Sequence, residues 1–190
     1  PDSKEILFSA NRSDNWEYET REANIYGVSL EGDIRQITNA PGSESGPKVS
    51  ADGRLIAYAK SDDQKLAYRN RYLHLMNLDG SNDRNLSGDI DNSLANVQWQ
   101  GSSGLFYQMT VRGLTEVGYV NLEGRHSQIA QGLGGESLGR PYASGGYNMA
   151  AGAVAYTKGS FNRPADLYVL VDGEEKRLTY LNEDLLEYKT

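Results

Sequence analysis

The sequence predicts an all-β protein, a β-propeller fragment of about four blades that forms part of a larger ring. The first observation is a short apolar run that ends in an aromatic residue and recurs at spacings of 50, 49 and 49 residues. The closing aromatics are Phe8, Tyr58, Tyr107 and Tyr156. The second observation is an acidic-glycine turn later in each copy. These turns are Glu31-Gly32, Asp79-Gly80, Glu123-Gly124 and Asp172-Gly173. A fixed period of this length, carried by strands, is typical of propeller blades.

The second copy shows how one blade is expected to be built. Residues 47–50 are predicted as a short inner strand, and the turn that follows contains Gly53, where a positive φ is expected. Residues 55–60 are rich in apolar and aromatic side chains, as a buried strand should be. Residues 72–78 form the predicted third strand, and the outer strand starts at residue 84. Many short strands joined by glycine turns favour an all-β propeller.

The four copies place the blades at about residues 1–38, 47–87, 96–130 and 146–179. The first copy has no counterpart of the inner strand at residues 47–50, so we expect the chain to be cut from a longer polypeptide. Helix signals are weak, and the exception is a possible helical turn at residues 182–186 with Asn182 as its cap.

Composition limits the possible partners. Acidic residues outnumber basic ones by 26 to 19, which gives a formal net charge of −7. Because no stripe of lysine and arginine is present, the sequence argues against nucleic acid as a partner. No apolar run approaches the roughly 20 residues that span a bilayer, so no membrane span is predicted. Cysteine is absent, which excludes disulfides and thiolate metal sites.

Three candidate chemical sites are rejected on their residue patterns. Ser144 lacks the glycine two positions earlier that a nucleophile elbow requires, so no catalytic residue is predicted. His74 lies in a predicted strand at a packing position and His126 in a turn, where a surface position is expected, and they do not form a metal site. Residues 89–93 alternate oxygen ligands but lack the central glycine of a calcium loop, which favours a structural turn. No cofactor and no metal are predicted.

The loop at residues 11–22 is longer than a tight hairpin requires. Trp16, Glu17 and Glu19 are its candidate substrate-binding residues, because an aromatic side chain beside carboxylates can hold a cationic group such as a peptide amine. The alternative is a solvated loop with Trp16 folded onto the blade.

Several segments resemble a known family. Residues 50–58 and 79–81 are similar to the repeats of Tol-type and peptidase propellers. Residues 11–17, 89–99 and 133–142 resemble the prolyl oligopeptidase family, within it the bacterial dipeptidyl aminopeptidase and acylaminoacyl-peptidase-like enzymes. Residues 163–168 and 177–186 resemble that family's last blade and its exit toward the hydrolase domain.

The resemblance implies a serine peptidase whose propeller caps an α/β-hydrolase domain. Residues 180–190 would then be the exit segment toward that C-terminal domain, which would carry the catalytic triad and be the partner of the propeller. The propeller would restrict entry to short peptides, with Trp16, Glu17 and Glu19 facing the substrate chamber. The compartment stays open between bacterial periplasm and cytoplasm, with the periplasm preferred.

Two alternatives remain. A stand-alone Tol-type propeller would act as a protein-binding scaffold and would have no hydrolase domain. A catalytic propeller acting on sugars would need carboxylates and histidines that converge on the ring axis, and it ranks last.

Overall fold

The computed structural model describes residues 4–62, 66, 68–135, 144–160, 163–181 and 183–186. Several predictions lie outside these residues: the first three residues of the chain, Asn182 as a helix cap, residues 136–142 of the third resembling segment, and residues 187–190 of the exit segment. The described chain forms two compact units. The first is Pro1–Leu105 with Val120–Arg125, and the second is Phe106–Tyr119 with His126–Thr190.

Two antiparallel sheets make up most of the first unit. The first sheet has three strands in the order β1-β2-β3, which are β1 (Glu5–Ala10), β2 (Asn24–Ser29) and β3 (Ile34–Gln36). The second has four in the order β4-β5-β6-β7, which are β4 (Ser43–Val49), β5 (Leu55–Ser61), β6 (Tyr72–Asn77) and β7 (Arg84–Asn85). The strand β8 (Ala95–Gln100) also belongs to this unit.

The sheet of the second unit has the strand order β15-β14-β13-β11-β10-β9. Its strands are β9 (Gly104–Val111), β10 (Leu114–Asn121), β11 (His126–Leu133), β12 (Tyr147–Ala150), β13 (Ala153–Ser160), β14 (Arg163–Val171) and β15 (Glu174–Arg177). The strand β12 pairs with β13 beside this path. A short helix, α1 (Glu183–Leu186), follows, so the predicted helical turn is confirmed.

The predicted inner strand of the second sheet starts too late. We expected it at residue 47, but β4 begins at Ser43. The pairing of β4 with β5 shifts between Ser45 and Lys48, and Gly46 in this bulge has a φ of 63°. A bulge with glycine in the left-handed region lets a strand pass a proline, here Pro47, without losing its pairing on either side.

Each unit has its own apolar core. In the first unit the core contains Ile25, Ile56, Tyr58 and Met76, with Leu7 and Ile37 packed against it. In the second unit it contains Phe106, Val117, Ala130, Leu133, Tyr147, Val154 and Tyr156. The aromatics that close the second and fourth apolar runs of the sequence, Tyr58 and Tyr156, are therefore core residues. The repeat in the sequence marks strands whose side chains are buried.

These closing tyrosines also connect the second strand of a sheet to a side chain in or beside its outer strand. The pairs are Tyr58–Asp83, Tyr107–His126 and Tyr156–Glu175. The Tyr58 hydroxyl donates to Asp83 Oδ1 at 2.8 Å. The remaining closing aromatic, Phe8 in the first copy, has no hydroxyl. It stacks on Tyr26 with ring centroids 5.7 Å apart. We name these three hydrogen bonds the tyrosine links.

Replacing Tyr58 by phenylalanine should lower the free energy of unfolding by about 1.5 kcal/mol, because it removes a hydrogen bond to a carboxylate and keeps the ring packing. Chemical denaturation with urea measures this loss. Tyr68→Phe is the control, since Tyr68 is 80% exposed. Equal stability of the two variants would show that the Tyr58 link contributes nothing.

Candidate functional site

A cleft of about 420 Å³ opens beside the first sheet. The end of β1, the start of the loop at residues 11–22, its return into β2, and the segment after β3 form its walls. We name it the loop cleft. Its charged lining residues are Arg12, Glu19 and Glu22. A volume in this range suits a small ligand or one end of a peptide.

Hydrogen bonds within the loop decide which of its residues face the loop cleft. The Asn11 side chain donates to the Glu19 carbonyl at 2.7 Å, and this holds the two ends of the loop together. The backbone amides of Tyr18 and Glu19 both donate to the Asn15 carbonyl, at 2.9 and 3.0 Å. Residues 14–18, which form this tight turn, are all exposed and none of them lines the loop cleft. The loop therefore divides into a lining part and an outer part.

Only one of the three predicted site residues lines the loop cleft. Glu19 is half-buried and contributes to its wall. Trp16 is 58% exposed, Glu17 is exposed, and neither is a lining residue. The structure therefore does not bring the three together in one site. Trp16 lies on the outer part of the loop.

Glu22 is a lining residue that the sequence did not single out. Its Oε2 accepts a hydrogen bond from the Gly42 amide at 2.8 Å, and the Ala23 amide donates to the Gly42 carbonyl at 3.1 Å. Glu19 and Glu22 stand at either end of one turn, where the Glu22 amide donates to the Glu19 carbonyl. The sequence signal that could have identified Glu22 is its spacing of three residues from Glu19 within an acidic loop.

Tyr26 adds an aromatic ring to the lining of the loop cleft. Arg12 lies over the ring of Tyr26, with its guanidinium carbon 5.7 Å from the ring centroid. Tyr26 in turn stacks on Phe8. The loop cleft therefore combines two carboxylates, one guanidinium and an aromatic face. Because two glutamates and one arginine line the loop cleft, its lining carries a net negative charge.

A buried carboxylate, Glu44, lies at the start of β4. Glu44 is fully buried and accepts a hydrogen bond from the Thr38 hydroxyl. Lys60 Nζ lies 3.1 Å from Glu44 Oε1, which is an ion pair by distance although its angles are not those of a hydrogen bond. Thr38 also accepts from the Ile25 amide at 2.8 Å. These contacts join the first two sheets near Gly42.

The rejected candidate sites have structural partners. His74 Nδ1 lies 2.8 Å from Asp83, and the ring is tilted against Tyr58. His126 was expected at the surface, but it is half-buried and bonded to Tyr107 at 3.0 Å, because the first residue of β11 faces the tyrosine. The Ser144 hydroxyl accepts from the Gly135 amide.

The described part of the chain holds no group of three or more histidine, aspartate or glutamate side chains arranged to bind a metal ion. Residues 89–93 form a turn in which the Ile90 amide donates to the Ser87 carbonyl at 3.0 Å. Asp91 accepts from the Asn70 side chain at 3.0 Å. Among the same described residues, no helix has the length and hydropathy needed to cross a membrane.

Comparison with solved structures identifies the fold. The chain is similar to the acylaminoacyl peptidase of Pyrococcus horikoshii, with a TM-score of 0.72 and 20% identity over 98% of this chain. It is similar to the β-propeller domain of the trilobed protease from Pyrococcus furiosus, with a TM-score of 0.70 and 19% identity over 94%. TolB from Acinetobacter baumannii matches with a TM-score of 0.61 and 13% identity over 94%.

These matches show that the chain has a β-propeller fold, as the sequence predicted. The chain spans 27% of the acylaminoacyl peptidase, 50% of the trilobed protease domain and 42% of TolB. It therefore corresponds to part of a larger ring in these proteins. The predicted resemblance to peptidase and Tol-type propellers is confirmed at the level of the fold. No protein-family model and no curated protein sequence matches the chain.

Proposed function

We propose that this chain is a non-catalytic propeller segment of a serine peptidase and that it controls the access of short peptides to an α/β-hydrolase domain of the same polypeptide. Two of the structural neighbours cited above are a peptidase and a protease, which supports the class. The blade boundaries at residues 1–38, 47–87, 96–130 and 146–179, and residues 180–190 as the exit segment, belong to the same proposal.

The observation that carries the substrate-binding part is the loop cleft. A peptide amino terminus is a compact cation with three donors, and two carboxylates beside an aromatic face suit it. Glu19 is the residue we assign to the ammonium group, because it lines the loop cleft and its hydrogen bonds within the loop are made by its backbone amide and carbonyl. Glu22 already accepts from Gly42, so it supplies charge at a fixed position. Trp16 and Glu17 remain contacts of the peptide's amino terminus that are predicted from the sequence.

Glu19→Gln in the full-length enzyme should raise KM about tenfold for peptides with a free amino terminus, because a charge-assisted hydrogen bond becomes a neutral one. KM for the same peptides with an acetylated amino terminus should not change. Steady-state kinetics with paired free and acetylated peptides measures both values.

Two further variants complete this experiment. Glu31→Gln is the matched control, since Glu31 is in the exposed turn after β2 and outside the loop cleft. Glu17→Gln tests the predicted role of Glu17 separately. An unchanged KM in Glu19→Gln for free amino termini would refute the assignment of Glu19.

The second candidate is a Tol-type scaffold that binds other proteins, which the match to TolB favours. Labelling of the full-length protein with a fluorophosphonate separates the two functions, because this reagent reacts with the activated serine of a hydrolase. A labelled protein supports the peptidase. A protein that is folded but not labelled supports the scaffold.

A further inference from the structure

A second cleft, of about 510 Å³, lies within the first unit and shares no lining residue with the loop cleft. We name it the basic cleft. One wall is formed by β4 and the facing part of β5, and the other by the chain that leads from residue 93 into β8. Apolar side chains make up much of its lining, and they are Ala57, Leu73, Leu94 and Val97.

Two cationic side chains line the basic cleft. Lys48 and Arg71 both line it and both are exposed. Within the residues that the structure describes, no acidic side chain is paired with either of them, although Arg35 and Arg177 each have a carboxylate partner. In a chain of net charge −7, two cations without such a partner form a local region of opposite charge.

The backbone around both cations is fixed by hydrogen bonds. The Lys48 carbonyl accepts from the Trp99 indole nitrogen at 2.8 Å. The Arg71 amide donates to the Ser93 hydroxyl at 3.1 Å. These two bonds connect the opposite walls, so the backbone that carries the cations is ordered before any ligand binds. Such preorganisation lowers the entropy that a ligand loses on binding.

The strand β4 is at the edge of its sheet, and its residues Ser45 and Gly46 line the basic cleft. An extended peptide can add to such an edge through main-chain hydrogen bonds. Lysine and arginine together favour a carboxylate, and the apolar walls favour an aliphatic side chain next to it. The two cations, the apolar walls and the edge strand β4 all favour an extended peptide that carries a carboxylate.

We propose that the basic cleft binds a peptide through a carboxylate, with Lys48 and Arg71 as the binding cations. The carboxylate comes either from the carboxyl terminus of the peptide or from an acidic side chain. This site does not depend on peptidase activity or on the recognition of an amino terminus by Glu19.

The test uses four peptides of the sequence acetyl-Ala-Leu-X-Ala, in which X is Glu or Gln and the carboxyl terminus is free or amidated. Calorimetric titration of the full-length protein, treated first with a fluorophosphonate to block hydrolysis, gives the affinity of each peptide. At least one carboxylate-bearing peptide should bind about tenfold tighter than the peptide with Gln and an amide. Which peptide does so identifies the source of the carboxylate.

The variant Lys48→Gln/Arg71→Gln should abolish this preference, and higher ionic strength should weaken it. Arg54→Gln is the matched control, because the Arg54 side chain is 83% exposed in the turn after β4 and does not line the basic cleft. Thermal unfolding of each variant confirms that it is folded. Equal affinity for all four peptides, or an unchanged preference in the double variant, would overturn the proposal. Because every peptide is acetylated, neither result bears on Glu19.

Discussion

Gly42→Ala should lower the free energy of unfolding by about 3 kcal/mol, which corresponds to a fall in Tm of roughly 6 to 12 °C. Gly42 has a φ of 101°, which L-residues rarely adopt. A Cβ at this position would also overlap the Ser61 carbonyl oxygen and lie 3.0 Å from the Asp62 carbonyl carbon. Both obstacles are backbone atoms of the adjacent strand end, so they cannot move without disturbing β5. Differential scanning calorimetry measures the change.

Gly32→Ala separates the two causes of this loss. Gly32 has a similar φ of 96°, but a Cβ there would meet no atom within 4 Å. This control should therefore show only the conformational cost, about 1 kcal/mol. If both variants lose the same stability, the contact with Ser61 and Asp62 has no energetic importance. The substitution at Gly42 should also weaken the loop cleft, since its amide holds Glu22.

Asp166→Asn should make the protein less stable at neutral pH and should flatten the loss of stability in acid. Burial opposes ionisation of the Asp166 carboxyl, but hydrogen bonds from the Leu181 amide, the Thr179 hydroxyl and Arg177 outweigh it, so the pKa of Asp166 is lowered. A carboxyl with a lowered pKa in the folded state stabilises the protein above its unfolded pKa, near 4, and this stabilisation disappears as pH falls through the folded pKa.

The experiment is a series of thermal unfolding curves between pH 7 and pH 2. The unsubstituted protein should lose stability steeply below about pH 4, and Asp166→Asn should lose less over the same interval. Asp33→Asn is the control, since Asp33 is exposed in the turn after β2. If the acid-induced loss is as steep in Asp166→Asn as in the unsubstituted protein, other carboxyl groups account for it.

The sequence predicted the strands well because their periodicity has a direct physical cause. The apolar runs that end in Tyr58, Tyr107 and Tyr156 are buried strands, and burial requires the same residue types in each copy. The first half of β4 was missed because the sequence from Ser43 to Gly46 is polar and contains a glycine. The buried side chain in this half of β4 is Glu44, and its partners Thr38 and Lys60 come from other parts of the chain.

The candidate site was predicted only in part for a related reason. The composition of the loop at residues 11–22 indicated a cationic ligand, but it did not show where each carboxylate points. The Glu22 carboxylate is held by the backbone amide of Gly42, and the Glu19 backbone carbonyl is held by the Asn11 side chain, and neither bond can be read from composition. The basic cleft was not predictable, because Lys48 and Arg71 are 23 residues apart in the sequence and come to line one cleft only in the folded chain.

Two of the tyrosine links, those of Tyr58 and Tyr156, should make the stability of the fold depend on pH in alkali. Burial, followed by the hydrogen bond to a carboxylate, raises the pKa of Tyr58 and of Tyr156 well above the ordinary value of 10. The folded chain therefore keeps these phenols protonated in solutions where an unfolded chain would release the protons. The stabilisation is complete below pH 10 and declines as pH rises further. The Tyr58 and Tyr156 hydroxyls, which join strands to one another, should therefore contribute to the loss of stability in alkali, as Asp166 should contribute to the loss in acid.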